Sequence, residues 1–295
     1  MKRIVLFLFT NIAVMVTLGI VTSVVFAFLG KPVESVVGTE WAYLAVFAFV
    51  YGLLGAFISL LISKPMAKMM TGAHVIDGSE GEAEAWLVQT VGDLARAADV
   101  KMPEVAVYPG SANAFATGAF KNHALVAVST DILAQMTREE LRAVLGHEMS
   151  HVANGDMVTL TLVQGVLNAF VIFFSRMIAR VVANSGKDDD NRSSRGTYYL
   201  VVMVLDLVLG ILASLIVMAY SRKREYAADA GSARLLGSPF PMIGALERLG
   251  NLQPGVLPDS LKAMGIAEGK KRTSLWATHP SLFDRIAALR ALTIH

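Results

Sequence analysis

The chain of 295 residues contains no cysteine, and only 17% of its residues are charged. Without cysteine, neither a disulfide framework nor thiolate ligation of a metal is available, so any metal has to be bound by the six histidines and by carboxylates. The net charge of +2 is too small to indicate a nucleic-acid partner. The charged fraction of 17% is below the value of about a quarter that is usual for soluble domains, and hydrophobic residues make up 54% of the chain. The composition therefore predicts a membrane protein with a modest polar part.

Two long apolar stretches near the N-terminus predict membrane spans. Residues 4–29 and 41–63 contain no charged side chain, and each stretch can cross a hydrocarbon core of about 30 Å. The first is about twice as long as the apolar region of a signal peptide and lacks a small-residue cleavage site, so we expect a retained anchor. Residues 158–174 and 198–220 are weaker candidates, which would form a second hydrophobic hairpin.

Basic residues around the first two spans indicate their orientation. They stand at positions 2, 3, 64 and 68, whereas the loop between the spans carries only Lys31. By the positive-inside rule, the outer ends of this pair and the polar residues that follow lie in the cytoplasm. The second hairpin conflicts with the rule, because its connecting segment is rich in arginine. Either the earlier spans dominate, or the second hairpin is only partly inserted.

A two-histidine motif lies in the polar region after the second span. His147 and His151 stand four positions apart, so on a helix they project from one face at a spacing that suits a single zinc ion. Glu148 flanks that face, where its carboxylate can take a proton from a zinc-activated water and pass it to a leaving amine. The alternative is a chance match on a polar helix surface.

The sequence around this motif predicts a helix from about residue 138 to residue 153. Thr137 and Glu140 have the spacing of a capping box, and apolar residues recur at helical spacing beneath the histidines. Asn154 and Gly155 then supply a helix stop. The motif therefore has the helical context that zinc ligation requires.

A catalytic zinc of this kind needs a third protein ligand and an open position for water. A hairpin of two spans would return the chain to the side of the histidines directly after residue 220. The next charged helix carries Glu225 and Asp229 on one face, one turn apart. Glu225 fits the third ligand, and Asp229 fits an acceptor that orients a ligand imidazole through its other N–H group. An exposed helix with ordinary charge pairs is the alternative.

Two further motifs accompany these helices, namely Asn113-Ala114-Phe115-Ala116 and Thr278-His279-Pro280-Ser281. With the histidine helix and the Glu225-x-x-x-Asp229 helix, they resemble the HtpX family of bacterial membrane proteases. They resemble more distantly the membrane CAAX prenyl-protein endopeptidases of the same clan. The likeness covers essentially the whole chain, including the two leading anchors.

The resemblance implies a zinc endopeptidase on the cytoplasmic face of the bacterial inner membrane, which acts on damaged or misassembled membrane proteins. It implies one zinc ion per chain, with His147, His151 and Glu225 as ligands and Glu148 as the base. It also favours His279 as a donor to the oxyanion that forms at the attacked carbonyl, rather than as a capping histidine. The expected partners are membrane-protein substrates and the lipid bilayer, and a homo-oligomer is left open.

Two short strands are predicted beside the third motif. Residues 104–108 and 124–128 have the period and the β-branched content of strands, and Asn113, Ala114, Phe115 and Ala116 lie between them. A sheet edge there could bind an extended substrate backbone above the zinc ion, with little sequence preference. The alternative is a plain hairpin that packs on the zinc helix.

We predict a multi-pass membrane protein that is mainly α-helical, with a small β-sheet in a cytoplasmic, zincin-like catalytic domain. Residues 183–196 are expected to form a solvated loop, and residues 267–273 a mobile one. The expected parts are an anchor pair at 1–63, a catalytic part with the zinc helix at 64–156, a hydrophobic hairpin at 157–220, and a helical part with the third ligand at 221–295.

Two other functions remain open at this point. An intramembrane site-2-type protease would take its third ligand from within a span, for which Asp206 is the candidate, but the charged zinc helix is a poor span. In a non-catalytic membrane scaffold the zinc site would be structural, although structural sites are more often closed by four ligands. If Asp206 is not a ligand, a polar partner such as Gln164 or Asn168 would account for it.

Overall fold

The computed structural model describes residues 39–185, 191–252, 266 and 279–293, so the first predicted anchor and residues 267–273 lie outside the described residues. The helices are α1 (Thr39–Thr71), α2 (Glu82–Ala97), α3 (Thr130–Gln135), α4 (Arg138–Asn154), α5 (Asp156–Ser185), α6 (Asn191–Leu236), α7 (Phe240–Asn251) and α8 (Leu282–Arg290). The strands are β1 (His74–Ile76), β2 (Glu104–Tyr108), β3 (Ala114–Thr117) and β4 (Leu125–Ser129).

Three of the described helices are long and apolar enough to cross a membrane, over Leu44–Thr71, Asp156–Asn184 and Arg195–Leu236. The predicted fold class, a mainly helical membrane protein with a small β-sheet, is confirmed. All three helices extend beyond the apolar stretches of the sequence, because hydropathy marks only the apolar part of a helix. The predicted loop at 183–196 is accordingly wrong at both ends, where α5 and α6 are helical.

The chain divides into two compact units. Of the described residues, the apolar unit comprises 39–58, 161–185 and 191–216, and the polar unit comprises 59–160, 217–252, 266 and 279–293. Within the apolar unit, α1 and α5 approach closely at Gly52. A Cβ atom on Gly52 would lie 2.6 Å from the backbone N of Ala169 and 2.8 Å from the carbonyl O of Gly165. The absence of a side chain there allows this approach, as is common between helices in membranes.

Asp206 lies in the apolar unit and is paired there. Its Oδ1 accepts a hydrogen bond from Ser175 Oγ at 2.5 Å, and the guanidinium of Arg176 lies 3.3 Å away. The partners come from α5, the helix of the third apolar stretch, but they are not Gln164 and Asn168, which bond to each other at 2.8 Å. Gln164 and Asn168 are one turn apart on α5, and such a spacing lets two side chains pair within their own helix.

The polar unit is built on a four-stranded mixed sheet in the order β1-β2-β4-β3. β2 and β4 run parallel, β1 and β3 are antiparallel to their neighbours, and β3 is the edge strand next to β4. Alternate residues of the sheet, such as Val105 and Val126, enter the main core with α2 and α4. The opposite face carries a smaller cluster that includes Tyr108 and Phe115.

Helix α4 begins and ends as the sequence predicts. Thr137 Oγ1 accepts a hydrogen bond from the Glu140 N–H, and Glu140 Oε2 accepts one from the Thr137 N–H, which completes the capping box. Gly155 ends the helix with φ at 66°, a left-handed conformation that favours glycine. The helix packs against β3, so its polar residues lie beside the sheet edge.

Candidate active site

His147 and His151 on α4 and Glu225 on α6 bring their ligand atoms within 4.8 Å of one another. The two Nε2 atoms are 3.1 Å apart, and the Glu225 carboxylate oxygens lie 3.5 Å from His147 Nε2 and 3.4 Å from His151 Nε2. Ligands that surround a tetrahedral zinc ion at 2.0–2.1 Å lie about 3.3 Å from each other. The two imidazole nitrogens and the Glu225 carboxylate are therefore spaced to hold one such ion.

Small residues let α4 and α6 approach closely enough for this arrangement. A Cβ atom on Gly231 would overlap the Ser150 side chain of α4. On the next residue, Ser232 Oγ donates a hydrogen bond to the Ala143 carbonyl at 2.7 Å. Because Glu225 lies less than two turns before these contacts, the close approach places its carboxylate against the histidines.

Each histidine is oriented by an aspartate on its other ring nitrogen. His147 Nδ1 lies 2.9 Å from Asp229 Oδ1, as the sequence led us to expect, and His151 Nδ1 lies 2.7 Å from Asp156 Oδ2. A carboxylate at Nδ1 favours the tautomer that carries its proton there, so both Nε2 lone pairs point at the common centre. The geometry suits ligation of a metal by neutral imidazoles.

The charges around the site favour a cation. Burial lowers the pKa of His151, but hydrogen bonds to Asp156 and Glu225 outweigh burial and raise it to about 10. The pKa of His147 is also raised, because its bonds to Asp229 and Glu225 outweigh burial. In the absence of a metal, the surrounding carboxylates therefore attract protons to both rings. A metal ion would meet the same negative potential and release those protons.

Glu148 lies on α4 next to the first ligand and is only 1% exposed. Neither of its carboxylate oxygens has a hydrogen-bond partner among the described residues. Burial raises the pKa of Glu148, and the positive potential of His147 and His151 only partly offsets this effect. A raised pKa suits a general base that has to take up a proton and release it again.

His279 also lies at this centre. Its Nδ1 is 2.9 Å from Glu225 Oε2, and the residue is buried. The structure thus brings together all three predicted ligands, the predicted acceptor Asp229 and His279.

A model of peptidase family M48 matches residues 82–293, which include every residue of this site. The chain belongs to peptidase family M48. The chain is 55% identical to the protease HtpX homolog of Paracidovorax citrulli over 98% of this chain and 99% of the relative. It is 53% identical to the HtpX homolog of Janthinobacterium sp. over 99% and 100% of the two chains.

A solved structure has the same fold. The crystal structure of S. mikatae Ste24p superposes with a TM-score of 0.60 at 19% identity, and the match covers 97% of this chain and 67% of Ste24p. Together with the apolar helices and the histidine–glutamate group, the M48 family identifies this chain as a bacterial membrane metalloprotease.

In this M48 peptidase Asp206 is not part of the ligand group. In the described part of the chain, the group of side chains that could hold a metal ion consists of His147, His151 and Glu225. Asp206 is held by Ser175 and Arg176 instead. The geometry therefore favours Glu225 as the third ligand over Asp206, the ligand of the intramembrane alternative.

The predicted substrate segment forms the edge strand β3 and the residue before it, but part of that edge is occupied. Asn113 Oδ1 accepts hydrogen bonds from the backbone N–H groups of Ala114 at 2.9 Å and Ile266 at 3.1 Å. The Ala114 carbonyl also accepts from the Ile266 N–H at 3.0 Å. Phe115 packs in the smaller core cluster. Asn113, Ala114 and Phe115 thus have internal roles, which the sequence reasoning missed.

Three charged residues of the site also escaped the sequence reasoning. Arg285 on α8 is fully buried and donates two hydrogen bonds to Asp229, from Nε to Oδ2 at 2.8 Å and from Nη2 to Oδ1 at 2.6 Å. Its Nη1 lies 3.4 Å from Glu225 Oε2. Asp156 forms an ion pair with Arg224 on α6. The available signals were the position of Asp156 directly after a helix stop and that of Arg224 directly before the third ligand.

Proposed function

We propose that this chain is a zinc endopeptidase, with one zinc ion per chain, that cleaves misfolded or damaged membrane proteins on the cytoplasmic side of the bacterial inner membrane. The observation that carries the proposal is the convergence of His147, His151 and Glu225 at tetrahedral spacing beside a buried Glu148. Similarity to HtpX homologs from bacteria supports the class of enzyme and the bacterial membrane.

His147, His151 and Glu225 would hold the metal. When bound, zinc supplies Lewis-acid chemistry, which acidifies water and polarises the scissile carbonyl. Glu148 accepts the proton of the attacking water and delivers it to the leaving amine. His279 donates a hydrogen bond to the developing oxyanion, which lowers the barrier more than it stabilises the substrate. Its Nδ1 lies 2.9 Å from Glu225 Oε2, which can only accept, so donation to the oxyanion has to come from Nε2 of a ring that carries a proton on both nitrogens.

An extended substrate would bind along β3. The Ser129 N–H bonds to the Asn113 carbonyl, so in the antiparallel ladder alternate residues of β3 face β4. Ala116, like Ala114, therefore directs its backbone groups toward the outer edge. Both residues are fully buried, so a substrate could pair at Ala116 only after this edge is uncovered. Backbone pairing at Ala116 would confer affinity with little sequence preference, which suits an enzyme that acts on many damaged membrane proteins.

The decisive experiment is to purify the full chain in detergent with a chelator and to measure cleavage of unfolded casein before and after zinc is added. We expect cleavage only with zinc. Glu148→Ala should bind zinc and remain folded but lose several powers of ten in rate, because base and metal act as a unit. Cleavage by that variant at the wild-type rate would refute the assignment.

Topology reporters test the orientation. Fusions after Lys64 and after Arg224 should both report the cytoplasm, because both residues belong to the polar unit that carries the active site. A periplasmic signal from either fusion would overturn the proposed orientation. A fusion at residue 189 tests the hairpin separately, since a cytoplasmic signal there would show that this hairpin does not cross.

A further inference from the structure

The two histidine ligands have matched surroundings. Each ring places Nδ1 on an aspartate, and each aspartate is paired with an arginine from a different helix. The His147 arm is Asp229 with Arg285, and both side chains are at most 2% exposed. The His151 arm is Asp156 with Arg224, whose side chains are 10% and 26% exposed.

We propose that Asp156 and Arg224 are positioning residues for His151, and that they set the affinity of the site for its metal. The inference rests on the metal site of the proposed function and adds a second arm to the Asp229 arm. Asp156 acts on His151 directly, by accepting its Nδ1–H bond. Arg224 acts through Asp156.

The chain geometry that brings Asp156 to His151 depends on the end of α4. In an uninterrupted helix, two residues five positions apart point in directions that differ by about 140°. Gly155 interrupts the helix with φ at 66° and ψ at 40°, and Asp156 turns back to His151 Nδ1. The helix stop therefore has a chemical consequence, because it supplies the acceptor that fixes the second ligand.

Helix α6 contributes to both arms through adjacent residues. Glu225 enters the ligand group, and Arg224, one position earlier, reaches Asp156. The two residues point in different directions around the helix, about 100° apart. A single helix segment thus places the third ligand and also holds the acceptor of the second ligand.

The charges of the cluster explain why each aspartate has an arginine. Glu148, Glu225, Asp156 and Asp229 carry four negative charges when ionised, and Arg224 and Arg285 carry two positive charges. A divalent cation with two neutral imidazoles makes the whole group neutral. Without the arginines, the cluster would keep two uncompensated negative charges even with the ion bound, and uncompensated charge in a buried site is costly. The two arginines therefore offset this excess charge, one beside each aspartate.

The test is metal affinity rather than activity. We would titrate metal-free full-length protein in detergent with Co²⁺, follow its ligand-field absorption, and repeat with Zn²⁺ in competition with a chelator. Asp156→Asn keeps the shape of the side chain but removes its charge. It should weaken affinity about 10- to 100-fold, as expected for loss of a carboxylate behind a ligand histidine. Lys223→Gln removes an exposed positive charge on the same helix and should change nothing.

A double-mutant cycle tests the route through Asp156. Arg224→Gln should weaken the wild-type site, whereas in the Asp156→Asn background it should have little further effect. Arg224→Lys should restore part of the affinity. A residue with only a structural role would lower the melting temperature without this coupling in metal affinity. Arg224 is partly exposed, so its variants keep the test open if Asp156→Asn does not fold.

The outcomes separate the two proposals. If wild type binds Co²⁺ and Asp156→Asn binds it equally well, the positioning role is wrong while the proposed metalloprotease stands. Additive effects of the two substitutions would likewise overturn the route through Asp156. If the folded wild-type chain binds no metal, both proposals fall.

Discussion

The polar unit and the apolar unit differ in the side chains that they bury and expose, because the first buries charged groups and the second exposes large apolar ones. In the polar unit, Glu148, Asp229 and Arg285 are at most 2% exposed and lie in one cluster. In the apolar unit, large apolar side chains such as Tyr51 and Leu207 are about two-thirds exposed, at 65% and 66%. A soluble surface would not show such a run of exposed apolar side chains, whereas a lipid-facing surface does.

The charged residues of the two units therefore have different roles: those of the polar unit serve the reaction, and Asp206 of the apolar unit serves the structure. Burying an ion costs several kcal/mol, and even a well-paired buried ion adds little stability. The ionised cluster of the polar unit is therefore best explained by a bound cation and a reacting water. Asp206 of the apolar unit is partly exposed and already satisfied by Ser175 and Arg176. We expect it to support the fold without taking part in the reaction.

The largest effect expected from this contrast concerns metal content. Glu225→Ala removes the anionic ligand of the polar unit, so the purified variant should hold zinc poorly. Asp206→Ala is the matched control, because it removes a carboxylate from the apolar unit and should leave zinc content unchanged. Metal analysis of both variants measures the result. The opposite pattern, with zinc lost from Asp206→Ala alone, would move the catalytic centre into the apolar unit.

Catalysis should be more sensitive than metal binding at His279. His279→Ala should lower kcat by about 10²- to 10³-fold, the usual cost of removing one oxyanion donor. Zinc content should stay near the wild-type level, because the three ligands remain. Steady-state kinetics on a fluorogenic peptide, with metal analysis of the same preparation, checks both statements. Unchanged kcat would assign His279 a purely structural role beside Glu225.

The local part of the site could be predicted from sequence, because its signals lie within a single helix. The spacing of His147 and His151, the cap at Thr137 and the stop at Gly155 all act within one or two turns. The structure shows the helix where these signals place it. The role of Glu225 could not be predicted from spacing alone, because an exposed helix with ordinary charge pairs fitted equally well. The family resemblance decided in favour of a third ligand.

The remaining residues could not be predicted, because their roles depend on tertiary contacts. Arg285 is separated from Asp229 by 56 positions, and no local pattern shows that it is buried. Asp156 was visible only as a residue after a helix stop. The edge strand had the predicted location, but the bond of Ile266 to Asn113, the residue before that strand, joins positions 153 residues apart.

A smaller effect should distinguish two glycines of α1 in the apolar unit. Gly52→Ala would force a methyl group onto the backbone of α5, which cannot move aside cheaply. We expect a loss of about 1–3 kcal/mol, the range for overpacking. Gly55→Ala is the matched control, because a Cβ atom there would meet nothing within 4 Å. Unfolding in mixed micelles compares the two variants, and equal stabilities would show that this close approach contributes nothing.

The smallest effect is expected at the start of α4 in the polar unit. Thr137→Ala removes the side chain that caps the helix carrying both histidines, and should cost about 1 kcal/mol of the free energy of unfolding. Thr137→Ser keeps the hydroxyl and should lose much less. Since Thr137 is exposed and lies ten positions before His147, zinc affinity should not change. A parallel loss of affinity would mean that α4 needs its first turn to hold the histidines, whereas the contacts with Asp229 and Asp156 indicate that these acceptors fix the rings locally.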